Sequence, residues 1–198
     1  MSFRRDYLSK PIFSWARGVL PTMSDTEREA LEAGDVWWDA DLFTGNPDWS
    51  KLLAFAPARL TDEESAFLHG PVDELCAMLD EWKINWEWRD LPPEVWAFIK
   101  AKKFFGMIIP KEFGGLGFSP YAHSEVVRKI SSRSLTAAVT VMVPNSLGPG
   151  ELLMRFGTKE QQDQWLPRLA AGQDIPCFGL TSPEAGSDAA SMIDTGII

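Results

Sequence analysis

Cysteine, histidine and tyrosine are scarce here, two of each among 198 residues. Cys76 and Cys177 lie far apart and form no C-x-x-C pair. That argues against a disulfide framework or a zinc site and for reduced thiols in a cytosolic setting. His69 and His123 have no metal-ligand spacing, so each reads as a surface residue or a satisfied core residue. Long apolar runs are also missing. No stretch approaches the roughly 20 apolar residues that span a bilayer, and no apolar run leads into a small-residue cleavage site. The expectation is neither a membrane-spanning segment nor a secretory signal. Positive charge is in deficit, with 19 Lys+Arg against 28 Asp+Glu and a net charge of −9. Such a chain repels phosphate backbones, and no Lys/Arg stripe interleaved with aromatics offsets this, so nucleic acid is excluded as a partner. There is no internal repeat and no low-complexity tract.

Tryptophan, by contrast, is abundant. Nine are present, eight of them in the first half and Trp165 alone later. Indoles bring large burial and one N–H that needs a partner, so they read first as core and interface filler; Trp82, Trp86 and Trp96 stand at helical spacing and read as core. The first 20 residues set Arg4, Arg5, Lys10 and Arg17 against Asp6 alone, with Leu8, Ile12, Trp15, Ala16 and Val19 at helical spacing. Two readings stand for this segment: an interfacial helix on an anionic membrane, or a packed or disordered terminus.

Helix signals dominate from residue 24 to residue 172. Ser24-Asp25-Thr26-Glu27, Thr61-Asp62-Glu63-Glu64 and Thr158-Lys159-Glu160-Gln161 read as capping boxes. The second opens a segment carrying Phe67, Leu75, Met78, Leu79 and Trp82, with Gly70-Pro71 as a break near its start. The third opens a helix that stops by Gly172. Pro93 and Pro120 read as first-turn prolines of helices over 94–104 and 121–130. Residues 35–60 look loop-like, with aromatics pinning them to a helical body. Gly114-Gly115-Leu116-Gly117 must be a turn, and Val139–Val143 fits a buried helix as readily as a strand. The overall reading is mainly α, a set of helices to about residue 172, then one apolar segment at 175–181 with strand character. That strand has no partner in the chain, so deleting 174–198 should leave the helical melting transition nearly unchanged.

The most informative stretch is Cys177-Phe178-Gly179-Leu180-Thr181-Ser182-Pro183-Glu184-Ala185-Gly186-Ser187-Asp188. An apolar run delivers the Thr181 hydroxyl, Pro183 fixes a bend, and Gly186-Ser187 makes a small corner. Such a loop can bring backbone N–H groups and hydroxyls against a flat, polar cofactor with a phosphate tail.

Three motifs carry a resemblance to the acyl-CoA dehydrogenase family. Ile109-Pro110-Lys111-Glu112-Phe113-Gly114-Gly115-Leu116-Gly117 resembles the family's Gly-Gly-Leu-Gly turn. Asn145-Ser146-Leu147-Gly148, with Phe156-Gly157-Thr158-Lys159-Glu160-Gln161 and Trp165-Leu166-Pro167, is similar to its next helical stretch. Leu180-Thr181-Ser182-Pro183-Glu184-Ala185-Gly186-Ser187-Asp188 resembles its flavin loop. The order and spacing are the family's, and the Trp-rich leader is most similar to the N-terminal part of the large membrane-associated bacterial fatty-acyl-CoA dehydrogenases of β-oxidation. Ser182 and Glu184 depart from the family's common Glu and Gly, and Phe178 stands where Tyr is frequent.

The resemblance implies an N-terminal helical-bundle domain ending in the first strand of the middle β-domain. It divides the chain into a leader over 1–60, with short helices and an aromatic-rich loop, a helical domain over 61–173, and the start of a truncated β-domain with the flavin loop over 174–198. It implies FAD as cofactor, held by Phe178, Gly179, Leu180, Thr181, Ser182, Pro183, Gly186 and Ser187, with the Ser187 carbonyl near the pantetheine of the substrate. It implies α,β-desaturation of a fatty acyl-CoA, an electron-transfer flavoprotein as acceptor and a homo-oligomeric full-length enzyme. The expected location is cytoplasmic, with peripheral contact to the inner membrane as one of the two readings of residues 1–20. The catalytic glutamate and the remaining flavin-binding walls are expected past residue 198, so no residue here is assigned as catalytic and the chain alone is expected to be inactive. The alternative is a non-catalytic helical interaction module derived from the same family. For Asn145 to Gly150, room for an acyl chain and close helix packing are equal readings.

Overall fold

A computed structural model describes residues 3–20, 28–29, 32, 37–146, 148–177, 179, 181–183 and 186. Of the three capping boxes, Ser24–Glu27 lies outside these. The other two form as expected. Thr61 Oγ1 accepts from Glu64 N–H while the Glu64 carboxylate accepts from Thr61 N–H, opening a helix over Asp62–His69. Thr158 and Gln161 repeat the exchange to open Lys159–Ala170. Each cap satisfies N–H groups that the first helical turn leaves without intrahelical partners.

The chain divides into two units, Pro57–Gly186 and one containing the described residues up to Ala56. The latter holds a π-helical turn, Arg4–Ser9, running into α1, Lys10–Val19. Two short helices come next, α2 (Asp39–Leu42) and α3 (Trp49–Leu53). The segment expected as loop therefore has helical turns. Its aromatics pack on one another, Trp37 against Phe55 and Trp38 against Trp49 with centroids 4.6 and 5.0 Å apart. Asp48 caps α3 at Ser50 N–H, and Trp38 Nε1 donates to Asp48 O.

In the larger unit, α4 (Asp62–His69) and α5 (Pro71–Met78) are split at Gly70-Pro71. A short α6 (Glu81–Lys83) continues as a π-helical turn, Ile84–Trp88. Then come α7 (Pro93–Ala101), α8 (Pro120–Ser131), α9 (Leu135–Ser146), α10 (Pro149–Phe156) and α11 (Lys159–Ala170). Pro93 and Pro120 both stand at the first position of their helices, where the missing N–H costs nothing. The β-branched run in α9 is helical because Ala137, Ala138 and Val141 are buried on one side of it. No strand occurs among the described residues. Residues 175–177, 179, 181 and 182 have no regular structure, as an extended segment without a pairing partner must.

Val72, Leu75, Val95, Ile99, Phe104, Ile130 and Val141 are fully enclosed in the main core. A second cluster joins Ile109 and Phe113 to Leu166, Leu169 and Ala170 of α11. The stretch from Phe104 to Phe118 links the two. Leu116, Phe118 and Gly117 N–H donate to the carbonyls of Gly106, Met107 and Ile109. Gly115 is obligatory there, since a Cβ would lie 2.0 Å from Ile109 O, and Gly114 and Gly117 take φ of 83° and 63°.

Trp82 and Trp86 do not enter the core. They are 68% and 63% exposed and pair with each other, while Ile84 between them is the buried anchor. Trp96 is half-buried against Phe105.

Candidate functional site

The approach to the expected flavin loop is fixed by α11. Gly172, φ 63°, ends the helix; a Cβ there would meet Phe105 at 2.8 Å. Arg168 in the last turn grips Asp174 with both guanidinium and carboxylate engaged, Nη2 donating to Oδ1 at 3.0 Å. That contact holds the Asp174 carboxyl below the usual carboxylate range. Ile175 and Pro176 then border an apolar cavity of about 350 Å3 shared with Pro149, Leu153, Trp165 and Leu169.

Beyond this point Cys177, Gly179, Thr181, Pro183 and Gly186 are exposed and Ser182 is half-buried. Phe178, Leu180, Glu184, Ala185, Ser187 and Asp188 lie outside the described residues. The described part of the loop is neither helical nor buried among indoles, and a Cβ added at Gly179 or Gly186 would meet nothing within 4 Å. Its main chain is open to close approach. Two hydroxyls, Thr181 and Ser182, with glycines on either side, are a donor set that fits one edge of a polar ring system.

Asn145 occupies the other motif. Its Oδ1 accepts from Ile108 N–H at 3.3 Å, and its Nδ2 donates to Phe104 O at 2.7 Å and Val141 O at 2.9 Å. A buried amide with three partners is a structural tie between α9 and the Phe104–Phe118 stretch. At Gly148 a Cβ would stand 2.6 Å from Pro144 O. Close backbone packing, not room for a ligand, therefore explains glycine at this position. Gly150 lies in ordinary contact with Ile109, 3.7 Å away.

Beside Asn145 is a cavity of about 530 Å3 lined by Ile108, Phe118, Pro120, His123, Ser146, Glu151, Met154 and Arg155. Arg155 pairs with Glu151 at 2.7 Å. His123 Nε2 is enclosed there without a hydrogen-bond partner among the described residues. Burial pushes the His123 pKa down, which keeps the ring neutral. His123 is thus neither a surface residue nor a satisfied one, because satisfaction of a side chain is decided by residues distant in the chain. No group of three or more His, Cys, Asp or Glu among the described residues could hold a metal.

Residues 61–173 match the family described as acyl-CoA dehydrogenase, N-terminal domain. The chain is 31% identical over 182 residues to the very long-chain specific acyl-CoA dehydrogenase of Mus musculus, covering 90% of this chain and 27% of that protein. With the Homo sapiens protein of the same description it shares 28% over 177 residues, covering 87% of this chain and 26% of the relative. The chain thus spans about a quarter of the length of these relatives. Among solved structures, butyryl-CoA dehydrogenase from Megasphaera elsdenii superposes with a TM-score of 0.55 at 22% identity, over 68% of this chain and 36% of that one. A chain from the electron transferring flavoprotein structure of Acidaminococcus fermentans gives 0.57 at 21%, over 69% and 36%. At these identities the superpositions establish the fold alone. The sequence match over most of the larger unit goes further: the chain belongs to the acyl-CoA dehydrogenase family, and residues 61–173 form its N-terminal helical domain.

Proposed function

We propose that this chain is the N-terminal portion of a FAD-dependent fatty acyl-CoA dehydrogenase that desaturates acyl-CoA thioesters between the α and β carbons. The observation that supports this most is the position of the open, hydroxyl-bearing loop directly after a helical domain of the family. Thr181 and Ser182 would hold the ring edge of the flavin through their hydroxyls. Gly179 and Gly186 would let the main chain come close, and Pro183 would fix the bend between them. Phe178, Leu180 and Ser187 complete the proposed segment, with the Ser187 carbonyl toward the substrate's pantetheine. When bound, FAD supplies the hydride acceptor, and an electron-transfer flavoprotein is the proposed next carrier. No carboxylate of this chain is offered as the base that removes the α-proton, since a base must reach the proton it takes. Glu112 and Glu125 read as solvated groups, and Glu151 is engaged with Arg155.

The test is spectroscopic. The 198-residue chain should show little yellow colour and no dye reduction with a fatty acyl-CoA. The complete product of its gene should be yellow and bleach on adding that substrate. In that product Thr181→Ala should weaken flavin retention by about tenfold, the worth of one lost hydrogen bond. A complete product that neither binds flavin nor bleaches would overturn the reading.

The proposal extends to a peripheral membrane contact through residues 1–20. Leu8, Ile12, Trp15 and Val19 are each more than half exposed, and Lys10 answers the lone acid Asp6 at 3.4 Å. Four basic residues on an otherwise acidic chain favour an anionic surface. No helix among the described residues is long and apolar enough to cross a membrane. The chain should float with anionic vesicles and lose this on removal of residues 1–20; equal flotation of both forms would remove the idea.

A further inference from the structure

Between the π-helical turn Ile84–Trp88 and α7 lies a groove of about 750 Å3, separate from the flavin loop and from the cavities at His123 and Trp165. Its walls are the indoles of Trp88 and Trp96 with Leu91, Pro92, Pro93 and Ala97, and its polar groups are Asp90 and Lys100. The volume is that of a small-molecule site, apolar over most of its surface with a few placed polar groups. One indole is fixed: Trp96 Nε1 donates to Asp90 Oδ1 at 3.2 Å, and the same oxygen accepts from Leu91 N–H at 2.7 Å. The other, Trp88, is 45% exposed. It sits at the end of the π turn, just before Arg89, whose φ of 59° turns the chain back toward α7.

Lys100 stands one helical turn beyond Trp96 on α7, which brings the two side chains onto one face. Its stem is held near Gly172, where an added Cβ would be 3.0 Å from Lys100 Cγ. Its ammonium has no ion pair among the described residues. The carboxylate in the groove already serves two donors, whereas the cation has no counter-charge. Two indole faces suit a flat ring, and an unanswered ammonium suits an anion.

We propose that this groove binds a small planar aromatic compound bearing an acidic group, its ring against Trp88 and Trp96 and its acid on Lys100. The inference does not depend on the flavoenzyme reading. The test is calorimetric titration of the 198-residue chain with 1-naphthoate, 1-naphthyl phosphate and the neutral 1-naphthamide. Saturable one-to-one binding of both anions is expected, with the amide at least tenfold weaker. Lys100→Gln should bring the anions down to the level of the amide and leave the amide unchanged. Trp88→Ala should weaken all three, and thermal melting shows whether that variant is folded. Preference between the carboxylate and the phosphate tells which acid the site takes. Absence of saturable binding to the parent chain, or equal binding of anions and amide in parent and Lys100→Gln, overturns the proposal; the lysine variant decides the matter even if Trp88→Ala does not fold.

Discussion

Nε2 of His123 is enclosed without a partner, and an orphaned polar atom of this kind costs about 1–3 kcal/mol. Burial also holds the ring's folded-state pKa below its ordinary value of about 6.5. As the pH falls, the unfolded chain therefore takes up the proton first. Stability should decline from about pH 6.5 down to the lower folded-state value and level off beneath it. Glu151 and Arg155 line the same cavity but answer each other. His123→Phe should raise stability by roughly 1 kcal/mol at pH 7 and abolish the decline, as read from urea denaturation between pH 7 and 5.5. An unchanged slope would show that another group titrates. Glu64 works in the opposite sense. It is only 4% exposed, and its oxygens accept from Thr61 and Ser119 N–H at 2.8 and 2.7 Å. Burial pulls its pKa upward, but the Thr61 and Ser119 donors more than offset this and leave it lowered. Its contribution is complete above the unfolded value of about 4.3 and is lost as pH falls through the lower folded value. Glu64→Gln should cost about 1–3 kcal/mol at pH 7 and much less near pH 3, a difference that denaturation at the two pH values would expose.

Whole elements were legible wherever their signals are local. The boxes at Thr61 and Thr158, the first-turn prolines and the Gly114–Gly117 turn all depend on residues within a few positions, and all formed. Trp82 and Trp86 failed this way of reading. Their i,i+4 spacing marks one face of a helix, but burial of that face depends on which side chain the rest of the fold selects, and it selected Ile84. His123 and Asn145 escaped for the same reason, since their partners, or lack of them, stand some 20 to 40 residues away. The flavin loop was readable as a motif only; its described residues are open and non-helical. Its first residues do more than sequence suggested. Asp174 is gripped by Arg168, and Ile175 and Pro176 border Trp165 and Leu169. Deleting 177–198 should therefore leave the melting temperature nearly unchanged, while deleting 174–198 should lower it by about 2–4 °C, the effect of roughly 1 kcal/mol in a chain of this size. Equal melting of the two truncated forms would deny the segment any packing role.

The molecule as a whole carries its described core within Pro57–Gly186, and residues 57–186 expressed alone should keep a cooperative thermal transition. A broad, non-cooperative melt of that piece would show that residues before Pro57 complete the core. Within it, the two hydrophobic clusters are bridged by the Phe104–Phe118 stretch, whose main-chain bonds tie Leu116, Gly117 and Phe118 to Gly106, Ile109 and Met107. Gly106 also lies so close to α11 that a Cβ would come within 2.9 Å of Ala170 Cα. The seam is all backbone, so no choice of side chain can loosen it gradually. Heat should release both clusters in a single calorimetric peak, and amides in this irregular stretch should exchange with deuterium as slowly as those of the helices it joins.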